Sequence, residues 1–535
     1  MSKKKKKHQA NSAASNPPNL QQTVRAAYAK GYSDAGASIT KRALKGFVAK
    51  SSAPNEDIDW NNKTLRQRGR MLYMASPIAA SAVNTNRTKG VGSGLHMKCA
   101  IDRDILKMSE DAAQAWSKRT EAEWRMWAEK ASNCDALGLG NLYKLQQLAM
   151  KSWLMSGDVF ALLKHEDATL HNPYSLRIYL IEADRISTPY KYRTVGTTDG
   201  ENPDTGNRIY DGVEVDGSGC AVAYFICNAY PEQSFRPDST DWVRVEARGK
   251  ETGLPNILHV MTPERPDQYR GVTYMAPNIE MLLQQRRYTE SELTSALIQS
   301  YFSAWITTET DTTDFPFNEV GVGDVDGIPS EPESLSESQN EYEMGPGTVN
   351  HLAPGETVTF GSPNIPSAGF EAFTRTINRI VGAAFELPYD VLTKEFNSSY
   401  SAAKGALEEA WEAVKMRRSW FVSDFCQPIY ECWLAEAVAS GRIHAPGFFT
   451  DPLIREAWVR ARWDGPAQTH LDPAKEAQAN AILVSHAWKT NEQVTREYYG
   501  GAWNENAEAV KHENQKMQDV NGTTNNNTIG GQNNA

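Results

Sequence analysis

Ser401 and Lys404 stand three residues apart, the spacing at which a lysine can draw the proton from a nucleophilic serine in acyl transfer. That chemistry also needs a K-T-G or S-D-N partner, and the chain has neither. A phosphate-cradling loop requires G-x-x-x-x-G-K-[ST], whose amides wrap the phosphates while the hydroxyl holds magnesium. Here Gly249-Lys250 is followed by Glu251, and no glycine stands five residues earlier. Gly90-Val-Gly-Ser-Gly94 lacks the lysine and reads as a turn, and His165-Glu166 lacks the second histidine of a metalloprotease helix. Asp324 and Asp326, in Gly321-Val-Gly-Asp-Val-Asp-Gly327, offer carboxylates to calcium, but their spacing departs from the EF-hand pattern. The six cysteines, Cys99, Cys134, Cys220, Cys227, Cys426 and Cys432, contain no C-x-x-C pair and read as free thiols of a reducing cytosol. The expectation is a protein with no catalytic residues, no metal and no cofactor.

Charge, in contrast, is distributed with a clear pattern. Between Tyr288 and Thr374 there is no Lys or Arg, while Glu309, Asp311, Asp314, Glu319, Asp324, Asp326, Glu331, Glu333, Glu337, Glu341 and Glu343 fall inside the same window. Two helical stretches bracket it. The first follows Pro277, a residue suited to a first helical turn, and repeats Ile279, Leu282, Leu283, Leu293, Ala296 and Leu297 at helical spacing. The second places Phe370, Phe373, Ile377, Ile380, Val381, Ala384 and Phe385 on one stripe and stops at Pro388, whose ring clashes with the preceding turn. An acidic module is thus expected to sit on two helical struts.

Beyond Pro388 the run Leu387-Pro-Tyr-Asp-Val-Leu-Thr-Lys-Glu-Phe-Asn-Ser-Ser-Tyr400 is polar and rich in turn formers, and it opens into a helix whose face is Ala406, Leu407, Ala410, Trp411 and Val414. This order of helix, "ELPYDVLT", "NSSYSAAKGALEEAW" and the paired Arg417-Arg418 resembles the lambda-type portal proteins of tailed bacteriophages. The segments Arg70 to Gly94, Ser152 to Phe160, Leu180 to Ile186 and His259 to Val272 resemble the same family in the same order, so the likeness spans about residues 25 to 510.

What the resemblance implies is specific. The fold would be α+β and mainly helical, in the portal architecture of wing, stem, clip and crown. Residues 1–22 would be a disordered basic tail, 23–274 the wing, 275–300 and 367–387 the stem helices around an acidic clip at 301–366, 388–401 the tunnel loop, 402–440 a wing helix region, 441–515 a helical crown and 516–535 a disordered Asn/Gly-rich tail. Copies would close into a ring, usually of twelve, at one capsid vertex, assembled in the host cytoplasm and carried in the virion. Double-stranded DNA would pass through it in both directions. The large terminase subunit and later head-tail connector or adaptor proteins would dock on the clip, with Glu309, Asp311, Asp314, Asp324, Asp326, Glu331 and Glu333 as the docking surface. Major capsid and scaffold proteins would surround it. Lys394, Phe396, Asn397, Ser398, Ser399, Tyr400 and Lys404 would approach the duplex, and Arg417 and Arg418 would face the channel or bridge subunits. The competing expectation is a minor capsid or head-tail adaptor protein without a channel.

Composition agrees with a folded assembly part. A chain of 535 residues with a hydrophobic fraction of 40% can bury a large core, and no apolar run approaches the roughly 20 residues that cross a bilayer. Five lysines, Lys3 to Lys7, precede a polar stretch with no signal-peptide core. A net charge of −10 argues against tight DNA gripping, which relies on counterion release from a broad basic surface, and suits a wall along which a duplex slides. Trp116, Thr120, Trp124 and Trp127 share a helical face and are expected in the core, while Val159–Leu163, Leu176–Ile181 and the pair Val213–Val215 and Ala221–Ile226 around Asp216-Gly-Ser-Gly219 read as strands.

Overall fold

Leu142–Ser156 forms a helix because its apolar residues recur at helical spacing and both of its ends are capped. Asn141 accepts a hydrogen bond from the Lys144 amide at the start, 3.1 Å away, and Gly157 takes φ +91 at the end. A side chain at Gly157 would place its Cβ 2.6 Å from the Gly271 carbonyl oxygen, so only glycine allows the two backbones to meet. That meeting sets Asp158, the next residue, against Arg270.

The computed structural model describes residues 36–38, 41–47, 49–233, 239–301, 305–308, 356–359, 369–397, 399–468 and 472–529. Helices α1 (Trp60–Ala75) and α2 (Pro77–Gly90) come first, followed by strand β1 (His96–Cys99), α3 (Glu110–Ala128) and α4 (Leu142–Ser156). β2 (Asp158–His165) and β3 (Leu176–Glu182) pair antiparallel. Strands β4 (Gly200–Glu201), β5 (Arg208–Tyr210), β6 (Val213–Val215), β7 (Ala221–Cys227) and β8 (Trp242–Glu246) form a second antiparallel sheet in sequence order. β9 (Ile257–Met261) returns to the free side of β2, with Phe160 opposite His259.

The struts follow as α5 (Ile279–Tyr301) and α6 (Phe370–Ala384), with β10 (Trp305–Thr308) and β11 (Glu356–Thr359) paired antiparallel between them. Next come α7 (Tyr389–Thr393), α8 (Tyr400–Phe421), α9 (Gln427–Ala439), α10 (Pro452–Val459), β12 (Ala461–Asp464), α11 (Pro473–Ser485), α12 (Asn491–Tyr499) and α13 (Trp503–Ile529). β12 pairs with β1, so the last third of the chain is stitched to the first. The architecture is α+β and mainly helical.

Two cores hold these elements. In the larger, Trp124, Trp127, Trp153 and Trp433 are fully buried, and Trp124 meets Trp433 edge-on at 5.1 Å. The smaller core packs Phe160, Ile181, Val213, Tyr224 and Ile226 between the two sheets. The tryptophan face of α3 thus lies where its periodicity placed it, with Trp116 half-buried at its edge.

Three features differ from the sequence reading. The apolar stripes of the struts are only partly buried: Leu282, Ile377, Val381 and Phe385 lie in the core, whereas Leu293, Leu297, Phe373 and Ile380 are 62%, 60%, 49% and 48% exposed. The stretch 388–401, read as a loop, contains the short helix α7 and the start of α8, because Pro388 takes a conformation that starts a turn and the Val391 and Leu392 amides donate back to its carbonyl. The Asn/Gly-rich stretch after Val520, expected to lack structure, continues α13 to Ile529; extending a formed helix avoids the cost of nucleation.

Candidate functional site

Two non-glycine residues with positive φ frame the segment between the second strut and α8: Glu386 at +53 and Lys394 at +64. Such backbone costs free energy unless its surroundings fix it, and here they do. The Lys394 ammonium donates to Thr85 Oγ1 at 2.6 Å, and Ser81 Oγ donates to the Leu392 carbonyl at 2.6 Å, both fastening α7 to α2. Arg417, buried on α8, donates to Asn86 Oδ1 at 2.6 Å and to the Phe385 carbonyl at 3.3 Å, and pairs with Glu386. One guanidinium therefore ties α2, the end of α6 and α8 together.

The tip beyond these anchors is open, and Glu386 and Lys394 are themselves exposed. Phe396 and Tyr400 present exposed rings, and Asn397 donates to Glu395 at 2.6 Å, while Glu395 also accepts from the Tyr389 hydroxyl at 2.9 Å. Ser399 precedes α8 without capping it through its side chain, and Ser398 lies outside the described residues. Lys394, though exposed, is held at Thr85, where partial burial and the nearby Lys89 push its pKa down. Lys404 is drawn toward Glu408 and Glu476, each at 3.9 Å. Ser401 is exposed, and Lys404 faces these carboxylates.

Arg417 and Arg418, expected to face the channel or bridge subunits, both make contacts within the chain. Arg417 is occupied as above, and Arg418 donates to the carbonyls of Gly90 (2.8 Å), Lys89 (2.8 Å) and Pro466 (2.9 Å) within the same chain. Lys89 and Gly90 end α2, where the negative end of the helix dipole favours a cation. The acidic residues Glu309, Asp311, Asp314, Asp324, Asp326, Glu331 and Glu333 lie outside the described residues.

A second constellation escaped sequence reading. Asp158 and Arg270 are fully buried and joined at 2.7 Å, Arg270 reaches Asp211 at 2.7 Å, and Arg66 stands 3.4 Å from Asp211 and 3.6 Å from Asp184. Burial pushes the Asp158 carboxyl up, but the Arg270 and Arg66 guanidinium groups outweigh it and hold the carboxyl well below its ordinary range. Asp59, at the head of α1, has no hydrogen-bond partner for either oxygen among the described residues, and burial together with the Asp211 charge raises it to about 8. The only trace of this cluster in the sequence is that Ser-Gly-Asp158 and Arg270-Gly271 each join a charge to a glycine. It pins α1 to both sheets and is a structural hub.

Among the described residues, no group of three or more His, Cys, Asp or Glu side chains is placed to hold a metal, and no helix is long and apolar enough to cross a membrane.

Residues 40–418 match the family described as phage portal protein, lambda family. The chain is 23% identical over 427 residues to Portal protein B of Escherichia phage lambda, covering 78% of this chain and 76% of that protein. It is 23% identical over 460 residues to the portal protein of Escherichia phage N15, covering 84% of each. A chain from the virion of the native gene transfer agent particle overlaps loosely, with a TM-score of 0.41 and 12% identity across 81% of this chain and 92% of that one.

Proposed function

Since this chain belongs to the lambda family of phage portal proteins, we propose that its copies close into a ring at one capsid vertex and conduct double-stranded DNA into and out of the head. The observation that carries the reading is the pair of struts. They are joined by Gln285 donating to Asn378 at 2.7 Å and by Tyr288 edge-on to Phe373 at 4.8 Å, yet Leu293, Leu297, Phe373 and Ile380 remain open to water. A folded chain that spends large apolar side chains on an open face of two paired helices is suited to bury them against further copies. The struts are then stem helices, residues 301–366 the clip, and residues 388–401 the tunnel loop, whose exposed members Phe396, Asn397, Ser399 and Tyr400 brush the duplex through weak, sequence-blind contacts.

The acidic clip suits a basic partner, in the order terminase during packaging and connector proteins afterwards. The role is mechanical and non-enzymatic. Electron microscopy of the purified chain tests the core of this reading: annuli with a bore that admits B-form DNA support it, and globular monomers at high concentration refute it in favour of a channel-free adaptor. A deletion of Asn397–Tyr400 is expected to leave annuli intact and reduce retention of packaged DNA; heads that stay stably filled would remove the loop from the mechanism.

A further inference from the structure

A cavity of about 440 Å³ opens between α8, the residues after β12 and α12, and its walls carry an excess of positive charge. Lys415, Arg418, Lys489 and Arg496 line it against Asp464 and Glu497, in a chain whose net charge is −10. Both acids are already committed. Asp464 accepts two hydrogen bonds from Arg462, at 3.0 and 3.1 Å, and Glu497 pairs with Lys489 at 2.5 Å. Arg418 makes no ion pair with a described residue: its guanidinium is held by main-chain carbonyls, stands 5.2 Å from the Trp411 ring centroid and feels the Asp464 carboxylate only at longer range. Burial lowers its pKa to about 10, and the Asp464 charge offsets that only in part. Arg496 makes no ion pair with a described residue, and among the described residues Lys415 pairs with the exposed Glu412, at 2.7 Å, a surface pair of small energetic weight.

We propose that this cavity binds a phosphate group. Lys415 and Arg418 come from α8, Arg496 from α12 and Lys489 from the turn before it, and Arg418 is fixed in place before any ligand arrives, which lowers the ordering cost of binding. A tetrahedral oxyanion can accept from donors that converge from such different directions, and guanidinium forks match its edges. The phosphate can belong to a polynucleotide backbone or to a free phosphate ester. The site does not depend on the ring, and a chain that formed no channel would still contain it.

Calorimetric titration of the full chain with inorganic pyrophosphate, at constant ionic strength in chloride, tests the proposal. Saturable binding is expected, weakened roughly tenfold or more by Lys415→Gln with Arg496→Gln, since charge-assisted hydrogen bonds are each of the order of 1.5–3 kcal/mol. Both side chains can be changed without touching the Arg418 anchor. The matched pair Lys130→Gln with Lys511→Gln removes the same charge elsewhere and is expected to leave binding unchanged. A 20-base-pair duplex that displaces pyrophosphate would identify a polynucleotide as the source, and failure to displace would identify a free phosphate. No saturable binding, or equal loss in both double variants, overturns the site.

Discussion

The hub around Arg270 and the strut pair α5–α6 are opposite solutions to burial. In the hub, charges deep inside the chain are answered by charges of the same chain: Asp158 and Asp211 by Arg270, and Asp184 by Arg66 and Arg70. In the struts, the apolar side chains Leu293, Leu297, Phe373 and Ile380 stay exposed. The contrast teaches that the two regions are finished to different degrees within one chain: the hub is closed there, and the struts leave an apolar face that the proposed ring would cover.

Breaking the hub should have the largest effect. Arg270→Met leaves Asp158 buried beside fewer cations, and a loss of about 3–5 kcal/mol in folding stability is expected from denaturant titration. A variant as stable as the parent would show that the hub carries no structural weight. Arg417→Gln, which frees the strained Glu386 turn and removes bonds to Asn86 and Phe385, should cost less, about 1–3 kcal/mol. It should also speed amide exchange across residues 385–394 more than elsewhere.

The pH dependence sharpens the same comparison. Asp59 is raised in the folded chain from 3.8 to about 8, so the folded state holds a proton that the unfolded state releases between those values. Its stabilising share is therefore complete below pH 3.8 and is lost as pH rises toward 8, with a slope of up to about 1.4 kcal/mol per pH unit. Asp59→Asn should flatten that slope and be relatively more stable than the parent near pH 8. Asp158 has the opposite sign: its depressed carboxyl contributes above the ordinary carboxylate range and loses that contribution in strong acid.

The struts should give the smallest change in the stability of a single chain. Leu293→Gln with Leu297→Gln, both on an open face, should alter it by no more than about 0.5 kcal/mol per site. Sedimentation of the same variant should nevertheless show association lost. Intact rings with that substitution would place the subunit contact elsewhere and dissolve the contrast drawn above.

Much of this was legible locally. The periodicity of Ile377, Val381 and Phe385 announces a helix, and the glycines between Val215 and Ala221 announce a hairpin. Two kinds of information were not legible. Periodicity names an apolar stripe but not how far along it the chain's own core reaches, so Leu282 and Leu293 look alike in sequence and differ in burial. The turn formers around Pro388 and Asn397 also read as one loop, although Ser81 and Thr85, distant in sequence, hold its first half in a helical turn.

Helices, caps, hairpins, the acidic window and the family likeness were written in the sequence, because each rests on residues within a few positions of one another or on an order of motifs along the chain. The fold decided the partners of Arg270, Arg417 and Arg418, the gathering of Lys415, Arg418 and Arg496 around one cavity, and the exposure of the outer half of the strut stripe. These depend on where backbone segments hundreds of residues apart are carried by the sheets and helices between them. A charged side chain carries no mark of its partner until burial removes water as the alternative.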